Sequence, residues 1–496
     1  MKRNHKIILL IVALNLVFRL ILVWKYAIIG NLYYDSYHHL AIAKSIYEGR
    51  GLVVDVIWPL ILRSDSFPMT YYFRQPVYLY LTALSFRIFG PGIYSAQLVN
   101  ILFESLIAGL VYIIALELTG SGRISIVSAV FYSGNVYALT YLPQVLSDTV
   151  FSFFVLLTLY LMIKFDGVRG LVITGVALGL AYLTRISAFV LIPVVFIYYS
   201  LKAGARNGVG RALTVVLVAL VVSSPWLYRN YASTGNPFYN HFHAIGFLIP
   251  MREDELFSRL EINESIGSMI LGRINTETCV WVLMNCINLV GGCVFFTPNP
   301  LVFGLGLLMV RDLYKRVAGR REFWASILAY FILSFLMTST TFGRVRYLYP
   351  LVPFFSIASA IVFELFFVDK FKLYRDRIGR ITYVTSICLM VLINITSAVY
   401  FMSNTFDGIY PALVMLEGRV GEEDVVMANF PYYVNYVFNA RAVQIPSREK
   451  DFNRIIDQYG VDYVVHQQGW HANITDFSHL ERIVSDGKIT VYGVLK

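Results

Sequence analysis

The stretch of residues 32–52, LYYDSYHHLAIAKSIYEGRGL, places a carboxylate among tyrosine and imidazole rings just after the first hydrophobic segment. Asp35 is the fourth residue of this stretch, and two adjacent histidines, His38 and His39, follow it. A carboxylate in such a setting can cap a helix, help to bind a metal or act as a general base. The apolar spacing predicts an amphipathic helix that begins directly after Asp35 and stops at Gly49, so Asp35 is a candidate N-cap. Capping and base catalysis are compatible, because a helix N-terminus stabilises an ionised carboxylate.

The two histidines allow the hypothesis of a metal site, but their spacing does not define one. Adjacent residues on a helix point about 100° apart, so His38 and His39 cannot easily face one ion. His38 lies three residues after Asp35 and can share its helix face, which makes it the candidate ligand for a divalent metal. Neither HExxH nor CxxC spacing supports such a site. Tyr34, directly before the carboxylate, is a further candidate for the site.

The composition predicts an integral membrane protein. Of the 496 residues, 57% are hydrophobic and only 15% are charged, and a soluble protein would leave part of this apolar surplus exposed. The net charge of +10 does not point to nucleic acid as a partner, because most of the basic residues form short clusters between apolar segments. Such clusters carry information about membrane topology.

About eleven apolar stretches are long enough to cross a bilayer, or nearly so. They are residues 7–24, 93–117, 124–142, 146–163, 171–184, 187–201, 212–228, 298–311, 323–341, 347–368 and 381–401. With this count, five basic clusters fall on one side of the membrane, which the positive-inside rule makes the cytoplasmic side. The clusters are Lys2, Arg3 and Lys6; Lys164 and Arg169; Lys202, Arg206 and Arg211; Arg311, Lys315, Arg316, Arg320 and Arg321; and Lys370, Lys372, Arg375, Arg377 and Arg380.

This topology predicts a cytoplasmic N-terminus and an extracytoplasmic C-terminus in a multi-pass protein of the cell membrane. Three polar regions then face outward: residues 25–92, 229–278 and 402–496. We expect the stretch 171–201 to form two short helices that meet at Arg185 near the outer surface, because one long helix would place this arginine in hydrocarbon. The stretch 279–296 is expected to be interfacial, since a further span would move the later basic clusters outside.

After residue 401 the long apolar stretches give way to short β-like and helical segments. This pattern predicts a small α/β domain over residues 402–496, outside the transmembrane module of residues 1–401. Short β-like runs occur in EEDVVMANF, RAVQIPS, VDYVVHQQ and KITVYGVLK. Between them, REKDFNRIIDQYG has helical spacing and ends at Gly460.

Several arginines lie in or near the predicted outer ends of the helices, where the positive-inside rule expects few. They are Arg74, Arg185, Arg229, Arg344 and Arg346. Each can simply extend towards lipid headgroups. As a group they favour an anionic ligand at the outer membrane surface, because guanidinium groups bind phosphate through paired hydrogen bonds and keep their charge. A phosphate attached to a lipid would lie at this depth.

A second acid lies near the same face. Asp148, in LPQVLSDTVF, stands at the outer end of the fourth predicted span. It is either an N-cap or first-turn acid of that helix, or a second carboxylate of the site.

These residues resemble a known family. YYDSYHHLAIAKSIYEGRGL is similar to the first outer loop of the GT-C fold glycosyltransferases that use polyprenyl-phosphate sugars, among them protein O-mannosyltransferases and aminoarabinose transferases. Further segments resemble family motifs in the same order across about residues 7 to 368. They are FRQPVYLYLTALSFRIFGPGIYSAQLVN, LPQVLSDTVFSFFVLL, GVALGLAYLTRISAFVLIP, SSPWLYRNYASTGNPF and RVRYLYPLVPFFSIASA.

The resemblance implies an inverting sugar transfer from a polyprenyl-phosphate donor to a hydroxyl acceptor at the outer face. In this interpretation Asp35 is the general base, and Asp148 orients the acceptor or helps to place Asp35. The lipid phosphate is bound by the arginines named above, with Tyr347 and Tyr34 nearby. Some relatives have a glutamate–lysine pair where this chain has RQP, which moves the phosphate role to Arg74. The acceptor remains open among glycan, lipid and protein, and the resemblance requires no cofactor beyond the open question of a divalent metal.

Two rival functions remain. A flippase or transporter of lipid-linked saccharides would need a polar path through the bilayer, and the sequence is interpreted as lacking acids and arginines in the inner-leaflet parts of its helices. A non-catalytic membrane scaffold with an outer domain is the third hypothesis. Replacement of Asp35 by asparagine separates them, because only the enzyme loses sugar transfer while it still binds the lipid donor.

Overall fold

The computed structural model describes most of the chain. The described residues are 2–26, 32–58, 66–240, 276–297, 300–340, 343–372, 374, 376–404, 414–467 and 479–495. Most of the predicted outer region 229–278 lies outside them, so the expectations for that region stay predictions.

The membrane part is built from helices that follow one another with short connections. We number them α1 (Lys2–Tyr26), α2 (Tyr34–Tyr47), α3 (Pro76–Phe89), α4 (Ile93–Thr119), α5 (Gly122–Ser133), α6 (Val136–Thr140), α7 (Asp148–Lys164), α8 (Gly167–Tyr182), α9 (Leu191–Ala203), α10 (Ala205–Thr234), α11 (Thr276–Val294), α12 (Pro300–Leu308), α13 (Val310–Val317), α14 (Arg321–Ser339), α15 (Val352–Glu364) and α16 (Arg377–Asn404). Turns of 3₁₀-helix precede α9 at Ile186–Val190, α14 at Ala318–Arg320 and α15 at Val345–Leu351, and a π-helical turn follows α15 at Leu365–Lys370.

Helices occupy each of the apolar stretches that the sequence predicts. Within the described residues, seven helical segments are long and apolar enough to cross a membrane. They are Asn4–Lys25, Ile93–Thr119, Ile186–Ala203, Ala205–Thr234, Arg321–Ser339, Val345–Lys370 and Arg377–Met402. Other predicted spans are shorter or interrupted; residues 124–142, for example, divide between α5 and α6. The stretch 279–296, expected to be interfacial, is also helical as far as Val294.

The predicted break at Arg185 is present. Helix α8 ends at Tyr182, and Arg185 has extended backbone angles before the 3₁₀ turn begins at Ile186. This break frees the arginine from the regular helix, so its side chain can turn towards α7 instead of lying in hydrocarbon.

Helices α8 and α10 pack closely through small residues. A Cβ atom on Gly175 would lie 2.6 Å from Val218 Cβ, and one on Gly179 would lie 2.8 Å from Val222 Cβ. The two glycines are four residues apart and therefore share one helix face, the arrangement that lets membrane helices approach closely. Because α8 leads directly into Arg185, this contact also fixes where that arginine stands.

The C-terminal region contributes five strands and two helices to a six-stranded mixed sheet. We number the strands of the chain β1 (Val53–Val54), β2 (Val56–Ile57), β3 (Met69–Thr70), β4 (Val425–Ala428), β5 (Arg441–Gln444), β6 (Tyr463–Gln467), β7 (Leu480–Ser485) and β8 (Ile489–Val494). The sheet order is β2-β5-β4-β6-β8-β7. The first four strands are parallel and the last two join antiparallel. Helices α17 (Pro431–Phe438) and α18 (Glu449–Tyr459) are the crossovers, and α18 ends at the predicted Gly460, where φ is +63°.

The sixth strand of this sheet, β2, comes from the segment between α2 and α3. Strand β2 pairs with β5 in the register Val56 to Ala442, and the Ala442 amide donates to the Asp55 carbonyl over 2.9 Å. Helix α2 also packs on α17, where the rings of Tyr37 and Tyr433 meet edge to face at 4.6 Å. The loop that carries Asp35 is therefore held by the C-terminal region as well as by the membrane helices.

Two acids within the helices, which the sequence interpretation overlooked, are buried and paired with arginines. Glu104 in α4 lies 3.3 Å from Arg19 of α1. Glu364 at the end of α15 accepts hydrogen bonds from Arg123 and, over 3.1 Å, from Tyr383. Glu364 lies near the predicted inner end of the span 347–368, so the expectation that the inner-leaflet parts of the helices lack acids is wrong. The sequence could not show that each charge has a partner, because the partners come from different helices.

The α8–α10 contact yields a prediction for stability. We expect Gly179→Ala to lower the free energy of unfolding by about 1–2 kcal/mol, since the added methyl group also meets the Ala219 carbonyl oxygen at 3.0 Å. Gly210→Ala, in α10, is the matched control, because its Cβ atom would have no neighbour within 4 Å and alanine favours the helix by about 1 kcal/mol. Thermal unfolding in detergent checks both. Equal melting temperatures for the two variants would contradict the packing argument.

Candidate active site

Asp35 lies between two of the predicted arginines. One carboxylate oxygen accepts a hydrogen bond from Arg74 Nη2 over 2.9 Å, and the other accepts one from Arg346 Nη2. The three side chains come from α2, the segment before α3 and the 3₁₀ turn before α15. The Arg346 side chain is 8% exposed, whereas those of Asp35 and Arg74 remain 19% and 18% exposed. The ion pairs are therefore sheltered but still open to a ligand on one side.

The capping interpretation of Asp35 is wrong. Helix α2 begins at Tyr34, its N-cap is Tyr33, and no side chain caps it. Asp35 stands in the first turn, where the helix N-terminus still favours a negative charge, but its oxygens bond to the two guanidinium groups. The prediction failed because the helix starts earlier than its apolar spacing indicated.

The two arginines determine the charge state of Asp35. Burial by itself would raise the pKa of the Asp35 carboxyl group, but the positive charges of Arg346 and Arg74 outweigh it and hold the pKa well below its ordinary value. Asp35 is thus ionised at any working pH as long as both arginines remain paired with it.

A second ion pair lies beside the first. Asp148, in the first turn of α7, lies 2.9 Å from Arg185 Nη1. The ring of Tyr347 has the guanidinium carbon of Arg185 at 5.3 Å and that of Arg346 at the same distance from its centroid. Cations near an aromatic face are attracted by its quadrupole. Tyr347 therefore links the Asp148–Arg185 pair to the Asp35–Arg346 pair.

A polar stripe on α4 positions the segment between the two acids. Gln97 and Asn100 each donate through the side-chain amide, to the carbonyls of Pro143 and Gln144 respectively. The Gln144 side-chain oxygen then accepts from the Tyr33 amide over 2.7 Å, directly before α2. These side chains lie on one face of α4, so a single helix sets the start of α2 and the approach to α7.

The two histidines face different surroundings, as their helix spacing predicts. His39 Nδ1 lies 2.7 Å from the Asp35 carbonyl oxygen, which can only accept, so the neutral ring has its proton on Nδ1. His38 Nε2 lies 3.2 Å from the Tyr71 hydroxyl. Its ring is 3.7 Å from that of Tyr432, and Trp58 lies close by. Burial lowers the pKa of His39 to about 3, assisted by the charge of Arg74, and burial also holds the pKa of His38 well below its ordinary value.

No geometry at His38 supports the metal site that the sequence left open. In the part of the chain that the structure describes, no three or more His, Cys, Asp or Glu side chains come together in a way that could hold a metal ion. His38 has aromatic rings around it rather than further ligands. Its visible role is to pack α2 against Tyr432 of the C-terminal region.

The remaining candidates surround the ion pairs without joining them. Arg229 Nη2 donates to the Tyr71 carbonyl over 3.0 Å and lies over the ring of Tyr72, so it fixes the segment that leads to Arg74. Arg344 is exposed at the N-cap of the 3₁₀ turn that carries Arg346. Tyr34 packs edge to face with the ring of Trp58 at 5.9 Å and with that of Tyr432 at 6.0 Å.

The sequence did not predict that residues of the C-terminal region and of α4 contribute to the site. Tyr432 follows β4 closely, and Trp58 follows β2 directly, so the carboxyl ends of two strands point towards α2. Such ends are the usual ligand-binding edge of an open parallel sheet. Gln144 and Tyr432 are ordinary polar and aromatic residues in the sequence. Only the parallel pairing of β2 with β5 reveals that Tyr432 meets His38.

A family of known proteins matches part of the chain. Residues 74–228 match the sequence profile of the family described as Dolichyl-phosphate-mannose-protein mannosyltransferase. This segment includes Arg74, Asp148 and Arg185. No curated protein sequence matches the chain.

Solved structures share the fold at low sequence identity. ArnT from Cupriavidus metallidurans, in a structure bound to undecaprenyl phosphate, is 13% identical, with a TM-score of 0.63, over 98% of this chain and 97% of that chain. The oligosaccharyltransferase AglB from Archaeoglobus fulgidus, in complex with an inhibitory peptide and a dolichol-phosphate, is 14% identical, with a TM-score of 0.59. That match covers 92% of this chain and 69% of AglB.

The predicted class is confirmed by these findings: the chain is a multi-pass membrane protein with the fold of the GT-C glycosyltransferases. The family match over residues 74–228 and the shared fold together indicate a glycosyltransferase. The small C-terminal α/β region, predicted from its short β-like runs, is also present.

The buried histidines predict how stability depends on pH. Both rings stay neutral in the folded protein but take up protons below about pH 6.5 when unfolded, so protonation favours the unfolded state. We expect stability to fall as the pH is lowered from 7 to 5, with a slope that approaches about 1.4 kcal/mol per pH unit for each histidine below pH 6.5. Thermal unfolding of the variant His38→Gln/His39→Asn should show a smaller pH dependence.

The substituted side chains keep a polar nitrogen near Nε2 of His38 and near Nδ1 of His39, so the variant removes mainly the titration. His5→Asn, at an exposed position of α1, is the control. If the double variant and His5→Asn show the same loss of stability between pH 7 and pH 5, the histidines are not buried as neutral rings.

Proposed function

We propose that the chain transfers a sugar from a polyprenyl-phosphate donor to a hydroxyl group, with Asp35 as the general base. The observation that carries the proposal is that Asp35 shares two arginines, Arg74 and Arg346, on a side that remains partly exposed. A base and an anion-binding pair are thereby within one hydrogen bond of each other. This is the arrangement that a displacement at a phosphate-linked sugar carbon requires.

The charges of the site balance through the proposed reaction. Two arginines carry two positive charges, Asp35 carries one negative charge, and a polyprenyl-phosphate sugar, a phosphodiester, carries one more. During transfer the departing phosphate gains a second negative charge, while Asp35 loses its charge by accepting a proton. The sum stays at zero, so the negative charge moves from Asp35 to the phosphate within reach of the same guanidinium groups.

The step is a single displacement. Asp35 takes the proton of the acceptor hydroxyl as its oxygen bonds to the anomeric carbon. The bond from that carbon to the phosphate oxygen breaks, and its electron pair stays on the lipid phosphate. Because the acceptor enters opposite the leaving group, the anomeric configuration inverts.

The same exchange explains how a carboxylate with a depressed pKa can act as a base. In the unliganded site both arginines stabilise the anion of Asp35 and make it a weak base. A phosphate that shares Arg74 and Arg346 reduces their hold on Asp35, so the pKa of Asp35 rises when the donor binds. We propose that the base becomes effective only in the presence of the donor.

The other predicted residues receive supporting roles in this proposal. Asp148 orients Arg185, and the ring of Tyr347, which lies against both Arg185 and Arg346, links this pair to Arg346. Arg229 fixes the backbone before Arg74, and exposed Arg344 stands beside Arg346 on the path of a lipid phosphate that approaches from the membrane surface. Tyr34 lies beside the base on the path towards the outer domain.

The chemistry of the structural neighbours supports the lipid donor. ArnT is solved with undecaprenyl phosphate and AglB with a dolichol-phosphate, so the fold binds polyprenyl phosphates in two different proteins. AglB is also solved with an acceptor peptide. For this chain we keep glycan, lipid and protein hydroxyls as acceptors.

We propose the extracytoplasmic face as the place of reaction. The basic clusters between the helices favour a cytoplasmic N-terminus, and the parity of the spans then places α2 and the C-terminal region of residues 402–496 outside. The division into a transmembrane module, residues 1–401, and an outer domain serves as a description of the chain. The site itself draws on both parts.

A flippase remains the second candidate, and one observation weighs against it. Two buried acids within the described helices, Glu104 and Glu364, are each paired with an arginine and accept a hydrogen bond from a tyrosine hydroxyl. Such closed pairs do not offer a saccharide a continuous polar route.

The first test of this proposal is Asp35→Asn. We expect sugar transfer from a polyprenyl-phosphate donor to fall by about 10²–10⁴-fold, the usual contribution of a positioned base. Binding of undecaprenyl phosphate should be at least as tight as in the wild type, because a competing negative charge has been removed from the two arginines. Asp55→Asn is the matched control, since Asp55 lies in the same loop and pairs with Arg50 outside the site. Normal transfer by Asp35→Asn would refute the base assignment, and retained saccharide translocation without any transfer in the wild type would favour the flippase.

A second test concerns the phosphate. We expect Arg346→Gln to weaken binding of undecaprenyl phosphate by about 10–100-fold, because a charge-assisted hydrogen bond contributes about 1.5–3 kcal/mol. Arg441→Gln serves as the control, since Arg441 pairs with Glu423 on the surface of the outer domain. Equal affinity of the two variants would remove Arg346 from the proposed phosphate site.

A further inference from the structure

Glu104 is a buried carboxylate at the meeting point of five elements. Its side chain accepts hydrogen bonds from Tyr132 of α5 over 2.7 Å, from Thr149 of α7 over 3.0 Å, and from Tyr349. Arg19 of α1 supplies the opposite charge at 3.3 Å. Glu104 itself is fully buried in α4, next to the polar stripe that holds the segment before α7.

Two of these partners adjoin residues of the active site. Thr149 follows Asp148 in the first turn of α7. Tyr349 lies three residues after Arg346 in the same 3₁₀ turn, whose other side chains include Tyr347. One carboxylate therefore holds the element that carries Asp148 and the element that carries Arg346, although it touches neither residue.

Glu104 supplies the countercharge of Arg19. Arg19 is fully buried, and its Nε and Nη1 atoms have no hydrogen-bond partner among the described residues. A buried ion pair contributes little net stability compared with an apolar pair of the same size, and its better-attested role is to specify an arrangement. The bonds that Glu104 accepts from two different elements fit that role.

We propose that Glu104 is a positioning residue, which sets the spacing between the Asp35–Arg346 and Asp148–Arg185 pairs and thereby the fit of the lipid phosphate. The inference rests on the proposed function, since the phosphate is the ligand whose fit is affected. Its distinctive requirement is a hydrogen-bond acceptor at position 104, whereas a purely structural role requires only a filled volume.

Two double variants separate these requirements. Arg19→Met/Glu104→Gln and Arg19→Met/Glu104→Leu both remove the buried charges and keep similar volumes, but only the first keeps an oxygen that Thr149 and Tyr349 can reach. We expect the leucine variant to bind undecaprenyl phosphate about 10-fold more weakly than the glutamine variant, while the two unfold at similar temperatures.

The other buried pair provides a matched control. Arg123→Met/Glu364→Gln and Arg123→Met/Glu364→Leu change a carboxylate near Tyr383 that holds neither element of the site, so their affinities should be equal. Should the Glu104 leucine variant fail to fold, Thr149→Val and Tyr349→Phe each remove one of the bonds alone. Affinity lowered about 3- to 10-fold in both supports the inference, and wild-type affinity in both overturns it.

The outcomes distinguish the two levels of the proposal. If the wild type binds undecaprenyl phosphate and the glutamine and leucine variants bind it equally, the positioning role is refuted and the proposed function stands. If the wild type does not bind undecaprenyl phosphate, the proposed function fails and the inference falls with it.

Discussion

The sharing of two arginines between a carboxylate and a prospective phosphate is the interaction on which this structure depends. A cation pair left alone in a sheltered site would be costly, and a carboxylate left alone there would take up a proton. Asp35 neutralises part of the positive charge of the two arginines, and Arg74 and Arg346 prevent protonation of Asp35. The same electrostatics keep the proposed base ionised, and a second anion that shares the arginines would weaken their hold on it and make it a stronger base.

Two scaffolds maintain this balance from opposite sides. In the membrane, the polar face of α4 fixes the start of α2 through Gln144 and reaches the turn of Arg346 through Glu104. On the other side of α2, β2 joins the sheet of the C-terminal region, and the ring of Tyr432 packs against that of His38. Helix α2 lies between them, so the position of Asp35 is determined at both ends.

The sequence predicts the class and much of the architecture because its strongest signals are local. Apolar runs mark the helices, and Gly460 marks a helix end. Arg185 marks a helix break, because an unbroken helix would place this arginine in hydrocarbon. The arginines were recognisable because they occur where topology expects few. The first-turn position of Asp148 could also be predicted, since it follows directly from the start of an apolar run.

The sequence does not show which residues from distant segments bond to each other. Arg74 and Arg346 were foreseen as phosphate ligands and Asp35 as a base, but nothing in their spacing shows that they bond to each other. Glu104 and Arg19 were missed because an isolated charge in an apolar run has no visible partner, and β2 was missed because two residues give no periodic signal. The exact start of α2 was likewise too weakly marked, which led to the wrong capping interpretation.

The pairing of β2 with β5 alters what the boundary near residue 401 means. A chain divided there would separate a catalytic module from an appended domain, yet the strand next to the base belongs to the sheet of that domain. Motion of the outer sheet would therefore be transmitted to α2 through Val56–Ile57 and through the contact of Tyr37 with Tyr433. An acceptor that binds at the carboxyl edge of this sheet would lie beside Trp58 and Tyr432, and so beside the face of α2 that carries His38 and Asp35. The proximity of that edge to the arginine-bound carboxylate gives the C-terminal region a direct physical connection to the proposed chemistry.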